Sequence, residues 1–377
     1  MPDSRLIPTL PPLFLSRLSL TQFKNYGQRQ YAFHRKITGI TGPNGAGKTN
    51  LLDAIYYLSF TKSYFSGNDT QNIKYQTDGF RIQGVFSRQE TSEEVSCVLK
   101  GGKKTVALNE APYTRFSEHV GSFPAVMIAP DDAVIIQGGS EERRRFLDSL
   151  LCQLHPDYLR HLIDYNKILQ QRNSLLRACA EKQTAPGLLL DTLDEQLAAE
   201  GQPVFHFRAS FLRDFSDQVQ SCYDYLSGSG ETVSIGYESD LSQAGFPDLL
   251  RSNRQRDQLL LRTSAGIHRD DLRFRLNGHA LKSSASQGQR KSFLFALKLA
   301  QYAALRIHKQ LPPLLLLDDL FEKLDEQRMQ RLISMVTGPE FGQVFITDTH
   351  AGRLEEAFKD HKDLFQQIDV AAEKQAG

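Results

Sequence analysis

The run Gly42-Pro43-Asn44-Gly45-Ala46-Gly47-Lys48-Thr49 has the spacing G-x-x-x-x-G-K-[ST]. Its glycines let the backbone turn its N–H groups inward around a phosphate, and the N-terminus of a following helix adds positive potential. In such a loop Lys48 reaches the β- and γ-phosphates and the Thr49 hydroxyl sits on Mg²⁺. The chemistry indicated is binding of ATP with Mg²⁺. A loop of this kind works with an acid at the end of a neighbouring buried strand. Leu314-Leu315-Leu316-Leu317-Asp318-Asp319 supplies it. The leucine run suits a buried parallel strand that delivers Asp318 to the metal, with Asp319 placed to polarise an attacking water. Alone, two aspartates would as readily cap a helix; the glycine loop favours the metal role.

Ser286-Gln287-Gly288-Gln289 stands just before a long apolar-striped helix (Phe293, Leu297, Ala300, Ala304, Ile307). Serine is a good N-cap and glycine permits close approach, so this is a second phosphate-binding helix N-terminus. One ATP needs a single cradle. The second therefore serves the nucleotide of another copy, which makes ATP the bond of a homodimer. By itself the tetrapeptide would be an ordinary capped helix. Leu324-Asp325 after the acid pair and Thr349-His350 after the next strand tip the balance. Asp325 is expected at the dimer seam, and His350 as a sensor of the γ-phosphate, although a lone histidine after a strand is more often simply solvated.

The elements that must position these residues are α/β in type. Residues 13–20 alternate as a strand, 36–41 lead straight into the glycine loop, and 50–58 form a helix. Residues 80–128 suggest short antiparallel strands with a hairpin at Lys100–Lys103. From Glu141 to about Gln220 the spacing is helical, broken at Ala185-Pro186-Gly187. Val233–Tyr237, Leu272–Asn277, Leu314–Leu317 and Val344–Thr347 are further strands, with an Asn-Gly turn at 277–278. The expected organisation is an ATP-binding α/β lobe I from residues 1–140 and 230–377, with a helical lobe II inserted at 141–229.

Composition excludes several classes. Lys and Arg total 45 against 44 Asp and Glu, a net charge of +1, so DNA contact would need a local patch. Cys97, Cys152, Cys179 and Cys222 form no C-x-x-C pair, which disfavours a zinc site or disulfide framework and suits a reducing cytoplasm. Apolar runs fall short of the roughly 20 residues of a membrane helix, and Met1–Arg5 has no signal-peptide character.

Together these elements resemble the ATP-binding-cassette group, and Asn50 after Lys48-Thr49 is similar to its chromosome-maintenance and DNA-repair branch. Leu20–Tyr26, Ala129–Asp132, Arg143–Asp148, Tyr165–Asn173, Asp194–Leu197 and Gly266–Asp271 resemble the bacterial RecF recombination-protein family across residues 13–350. The resemblance implies a two-lobed SMC-type head without a long coiled coil, an ATP-dependent homodimer and slow DNA-stimulated hydrolysis. It also implies work at gapped or stalled replication sites with RecO- and RecR-type mediators, helping a recombinase load onto single strands. Leu193 stands where the family usually has Trp. The glutamine expected to touch Mg²⁺ in cassette ATPases is not evident at Ala129–Asp132, and Asp318-Asp319 replaces the Asp-Glu of transporters.

Two basic stretches are candidates for DNA backbone contact: Arg143-Arg144-Arg145, and residues 251–275, with seven Arg against three Asp and including Arg254 and Arg256. Both also suit a solvated, salt-bridged surface, the more ordinary reading for any single Arg. Neither interleaves aromatics as single-strand binders do, which favours duplex contacts without sequence readout. His268-Arg269-Asp270 copies a kinase triplet, but the Asn five residues on is absent, Arg275 standing there; residues 268–271 are expected to be a structural or inter-lobe feature near the nucleotide. A transporter ATPase subunit would have a shorter gap between Lys48 and Asp318. A structural DNA tether would need a longer helical arm than about 80 residues at 1.5 Å each allow.

Overall fold

The computed structural model describes residues 13–88, 91–185, 187–319 and 325–371. The chain divides into two compact units. The first draws on Met1–Asp132, Tyr225–Gly228 and Phe295–Gly377, the second on Ala133–Asp224 and Ser229–Leu294.

In chain order, β1 (Leu13–Thr21) and β2 (Gln28–Ala32) precede β3 (Ile37–Thr41) and α1 (Lys48–Phe60). Then come β4 (Gly79–Arg88), β5 (Thr91–Lys100), β6 (Lys103–Leu108), β7 (Ala111–Pro112) and β8 (Ala125–Ile128). Helices α2 (Ala133–Gln137), α3 (Ser140–Leu154), α4 (Pro156–Glu181) and α5 (Gly187–Ser227) follow. Next are β9 (Val233–Glu238), α6 (Phe246–Leu260), β10 (Asp271–Leu276), β11 (His279–Ala280) and α7 (Leu281–Ser284). The chain continues through α8 (Gln287–Lys309), β12 (Leu314–Leu317), α9 (Glu326–Thr337), β13 (Val344–Asp348), α10 (Ala351–Ala357) and β14 (Phe365–Asp369).

The first unit has two sheets. One is antiparallel, ordered β2-β1-β4-β5-β6-β7; the other is ordered β14-β3-β13-β12-β8, with every pairing parallel. The difference is legible in burial. β1 alternates buried Leu18 and Leu20 with outward Ser19 and Thr21, a bulge between Leu15 and Arg17 resetting the phase, whereas β3, β8, β12 and β13 are buried at every position. Strands covered on both faces need continuous apolar runs; one-sided strands need alternation. Helix α1 contacts strands of both sheets and is buried nearly all round through Leu51, Leu52, Ile55 and Leu58. Each such leucine or isoleucine adds about 1.5–3 kcal/mol of burial. Asp53, fully buried in this helix, is matched by Lys24 at 2.5 Å, the Ser63 hydroxyl at 2.7 Å and the Tyr64 N–H at 2.7 Å, as a buried carboxylate must be.

The second unit is mainly helical, with the sheet β11-β10-β9. Here the division departs from the expected boundary: residues 229–294 group with the helices, not with lobe I. The reason is side-chain pairing. Arg172, fully buried on α4, donates to Asp194 of α5 and Asp257 of α6, each at 2.7 Å, and to Thr263 at 2.9 Å. Arg208 of α5 binds Asp148 at 2.8 Å and Asp270 at 2.9 Å, and Phe274 packs on Phe293 at 5.0 Å. Removing one partner of a buried ion pair costs about 3–5 kcal/mol, so these links hold α6 to α4 and α5 and the start of β10 to α5, while the Ile235 N–H donates to Ser216 Oγ at 3.2 Å and ties β9 to α5. The His268–Asp271 segment belongs to this arrangement. His268 Nδ1 accepts from the Tyr165 hydroxyl at 2.7 Å, and Nε2 lies 3.1 Å from the Thr263 carbonyl. Its role is structural, within the helical unit.

Candidate functional site: the P-loop at the strand ends

The parallel sheet brings the C-terminal ends of β3, β13, β12 and β8 to one edge, where open α/β sheets bind ligands. The glycine loop leaves β3 there and enters α1. Gly42, Gly45 and Gly47 have φ of 145°, 77° and 115°, which L side chains rarely adopt. Gly47 is further constrained, since a Cβ there would lie 2.5 Å from Asn25 Nδ2 and 2.9 Å from the Tyr26 hydroxyl. Those two residues brace the loop from behind. Asn25 Nδ2 donates to the Ala46 carbonyl at 2.9 Å, Tyr26 donates to the Gly47 carbonyl at 2.9 Å, and Asn50 Nδ2 donates to Asn25 Oδ1 at 2.8 Å. Pro43, Asn44 and Gly45 are exposed at the crest. Lys48 is buried, its ammonium curled onto the loop's own carbonyls of Gly42 (2.9 Å) and Pro43 (3.3 Å).

Asp318 stands where β12 ends. Its carboxylate accepts from the Thr49 hydroxyl at 3.0 Å and the Thr347 hydroxyl at 2.7 Å, so the expected metal pair of Thr49 and Asp318 is in direct contact. Burial pushes the Asp318 carboxyl above the usual aspartate range; the hydrogen bond from Thr347 opposes this, and the neighbouring charge of Asp319 adds to it. A buried carboxylate beside a hydroxyl, next to a phosphate cradle, fits a hard divalent cation with oxygen ligands. Asp319 is half-buried with φ of 46°, and its N–H donates to Thr347 Oγ1 at 2.8 Å. His350 is exposed at the N-cap of α10, its N–H bonded to Asp348 at 2.7 Å.

Behind β8 lies a buried group that the sequence did not announce. Lys298 of α8 lies 3.1 Å from Asp132 and donates to the Tyr64 hydroxyl and the Met127 carbonyl, each at 2.9 Å; Tyr64 also bonds Asp132. Burial first, then the Asp132 charge, raises the Tyr64 hydroxyl well above its ordinary value. Asp132, at the end of the Ala129–Asp132 segment, is thus tied into this buried ion pair and also accepts from the Ala129 N–H at 2.8 Å.

Ser286 begins α8 in a capping box: its hydroxyl accepts from the Gln289 N–H at 3.2 Å, and Gln289 Oε1 accepts from the Ser286 N–H at 2.7 Å. Gln289 also donates to Glu231 at 2.6 Å. Ser286 and Gln287 are exposed and Gly288 is half-buried. Asp325 caps α9 through the Arg328 N–H at 2.9 Å, which holds its carboxyl below the usual range. Leu324 lies outside the described residues.

The arginines are placed unevenly. Arg143 is held by Asp271 at 2.7 and 3.1 Å, Arg144 by the Asp270 carbonyl at 2.6 Å, and Arg254 by Asp191 and Asp194. Arg145 is exposed but paired with Glu141 and Glu142 at 3.1 and 3.2 Å, and Arg256 is exposed.

Comparison with known proteins bears on these features together. Residues 14–371 match the family described as RecF/RecN/SMC N terminal domain. A DNA replication and repair protein RecF from Flavobacterium johnsoniae is 42% identical over 92% of this chain and 97% of its own length. The chain belongs to the RecF family. The RecF of Porphyromonas gingivalis is 38% identical, over 95% of this chain and 98% of its own. A solved structure of the recombination mediator RecF with ATP, in the RecFOR pathway, superposes with a TM-score of 0.84 at 27% identity over 92% of this chain and 94% of that one. An Smc head domain from Pyrococcus furiosus shares the fold alone, with a TM-score of 0.50 and 16% identity. The fold is therefore the expected α/β SMC-type ATPase head with a mainly helical lobe inserted, in an ATP-binding family of DNA replication and repair.

Asn25, Tyr26, Thr347 and Lys298 are the site residues that sequence reasoning missed. Thr347 was findable: it follows the apolar run 344–346 and therefore ends the strand beside β12. Asn25 and Tyr26 lie in the Leu20–Tyr26 motif, which carried a family resemblance but no role, and Lys298 carried no local signal.

Proposed function

We propose that this protein is an ATP-gated DNA-binding switch of recombinational repair and replication-gap processing. The observation that carries this is the contact of Thr49 with Asp318 beside the braced glycine loop, in a chain of the RecF family. In this account Lys48 and the loop amides hold the phosphates of ATP, while Thr49 and Asp318 hold Mg²⁺, which supplies charge neutralisation at the transferring phosphoryl group. Asp319 orients the attacking water and His350 meets the γ-phosphate.

The capped start of α8 at Ser286–Gln289 serves the nucleotide bound by a second copy, with Asp325 at the seam, so that ATP closes a homodimer on DNA and slow, DNA-stimulated hydrolysis opens it. The substrate is duplex or gapped DNA in the cytoplasm. The solved RecF structure, described as a recombination mediator in the RecFOR pathway, supports RecO- and RecR-type partners, and with them this account gives the protein a part in helping a recombinase load.

Sedimentation velocity with and without Mg-ATP tests the dimer directly. The wild type is expected to sediment as a monomer without nucleotide and as a dimer with it, while Ser286→Arg binds ATP and stays monomeric. A Ser286→Arg protein that still dimerised on ATP would remove the signature role.

A further inference from the structure

The antiparallel sheet of the ATP-binding unit has one face on the core and one toward solvent. Its inner face carries Phe80, Ile82, Val95, Cys97 and Leu99, all buried with α1 in the same core. On the outer face, the outward strand positions of the described residues hold four basic side chains: Arg17, Arg81, Lys100 and Lys103. The one carboxylate among them is Glu94, already engaged by Gln83 Nε2 at 3.0 Å. The remaining outward positions carry hydroxyls, amides, glycine, small aliphatic groups or, at Phe14, a half-buried ring. Four positive charges less one negative leave this face at about +3, in a protein whose total is +1.

None of the four basic residues has an ion pair among the described residues. This contrasts with Arg143, Arg144 and Arg254 on the helical unit, which are held by carboxylates or a carbonyl.

The register strengthens the point. Lys100 and Lys103 face each other directly across the β5–β6 hairpin, whose turn is Gly101-Gly102 with φ of 55° and 75°. Like charges directly opposite destabilise a strand pair, so folding alone gives no reason for this placement; an anion between them does. Arg17 pairs with Val85 on β4, four residues along the strand from Arg81, and Lys100 pairs with Gly79. At about 3.3 Å per residue and about 4.8 Å between strands, the charges run diagonally over roughly 24 Å. Double-stranded DNA offers one phosphate charge per about 1.7 Å of axis, and hydroxyl and amide side chains of the kind filling the face also bond phosphate oxygens.

We infer that this outer sheet face, through Arg17, Arg81, Lys100 and Lys103, is a docking surface for the phosphate backbone of duplex DNA, read without sequence. The inference rests on the DNA-binding function proposed above and assigns it a surface. It predicts a salt signature. Each phosphate contact adds about 0.9 to the slope of log affinity against log salt, so Arg81→Gln/Lys100→Gln/Lys103→Gln lowers the slope by roughly 2–3.

The test is fluorescence anisotropy of a labelled 30-base-pair duplex with Mg-ATP across a salt series. Wild type, this triple variant, and Arg145→Gln/Arg256→Gln on the helical unit are compared. All the changed side chains are exposed, and a thermal melt with nucleotide binding verifies that each variant is folded. A triple variant that binds about 10- to 100-fold more weakly at low salt, with the smaller slope and unchanged ATP affinity, is the expected result. If wild type binds DNA and the triple variant matches it in affinity and slope, the sheet face is overturned while the DNA function stands; loss in the helical-unit variant would then relocate the surface. If wild type itself fails to bind duplex, both the function and this surface fall.

Discussion

Asn25 is the residue whose removal says most about how the loop is held. Asn25→Ala deletes the bond to the Ala46 carbonyl and the one from Asn50. Net hydrogen-bond contributions of about 0.5–1.5 kcal/mol each put the loss of loop organisation at about 1–3 kcal/mol. A loop that must be ordered on binding passes that cost to the ligand, so ATP should bind roughly 5- to 150-fold more weakly, at about 1.4 kcal/mol per tenfold. Titration with a fluorescent ATP analogue at fixed Mg²⁺ measures this, and a thermal melt separates it from unfolding. Asn25→Asp should be worse still, because it keeps the acceptor for Asn50 but sets a negative charge against the Ala46 carbonyl. An Asn25→Ala affinity within twofold of wild type would refute the bracing role, leaving Tyr26 and the glycine conformations to shape the loop unaided.

Lys48→Ala is expected to abolish measurable ATP binding in the same titration; normal affinity would undo the assignment of the loop. Asp318→Ala should retain nucleotide binding but lose its Mg²⁺ dependence and hydrolysis, read by phosphate release across a magnesium series. Lys298→Met leaves the Asp132 carboxylate buried and unmatched, and a cost of about 3–5 kcal/mol should appear as a lowered melting midpoint that Lys298→Met/Asp132→Asn partly restores. His268 provides a pH test. Burial pulls its imidazole down to about 4 from the ordinary value of 6.5. Between those values the unfolded chain binds a proton that the folded unit refuses, so stability is full above pH 6.5 and falls as pH drops toward 4, by up to about 3 kcal/mol. Hydrogen exchange of α4 amides, corrected for intrinsic rates, should show the loss, and His268→Gln should flatten it.

Much of this architecture is written locally. The leucines of β12 and the alternation in β1 mark strands covered on both faces and on one face, and the glycine loop is punctuated by residues that tolerate positive φ. Ser286 and Gln289 spell a capping box three residues apart. What sequence did not disclose depends on long-range pairing. Asn25 lies 21 residues from the carbonyl it supports and Lys298 lies 171 from Met127, and no periodicity connects them. The unit boundary escaped for the same reason: the strands at 233–238 and 271–276 have ordinary β character, and long-range links such as Arg208 to Asp270 and Arg143 to Asp271 assign them to the helices. The basic outer face is similar, since Arg17, Arg81, Lys100 and Lys103 are scattered in sequence and become neighbours only through strand register.

The central claim is that ATP gates DNA binding, and anisotropy of a labelled gapped duplex, titrated with the full chain with and without Mg-ATP, tests it most directly. The account predicts binding that tightens with ATP, weakens steeply with salt, and reverts to the nucleotide-free affinity in Lys48→Ala. Equal affinity with and without ATP, or no binding in either condition, would contradict it.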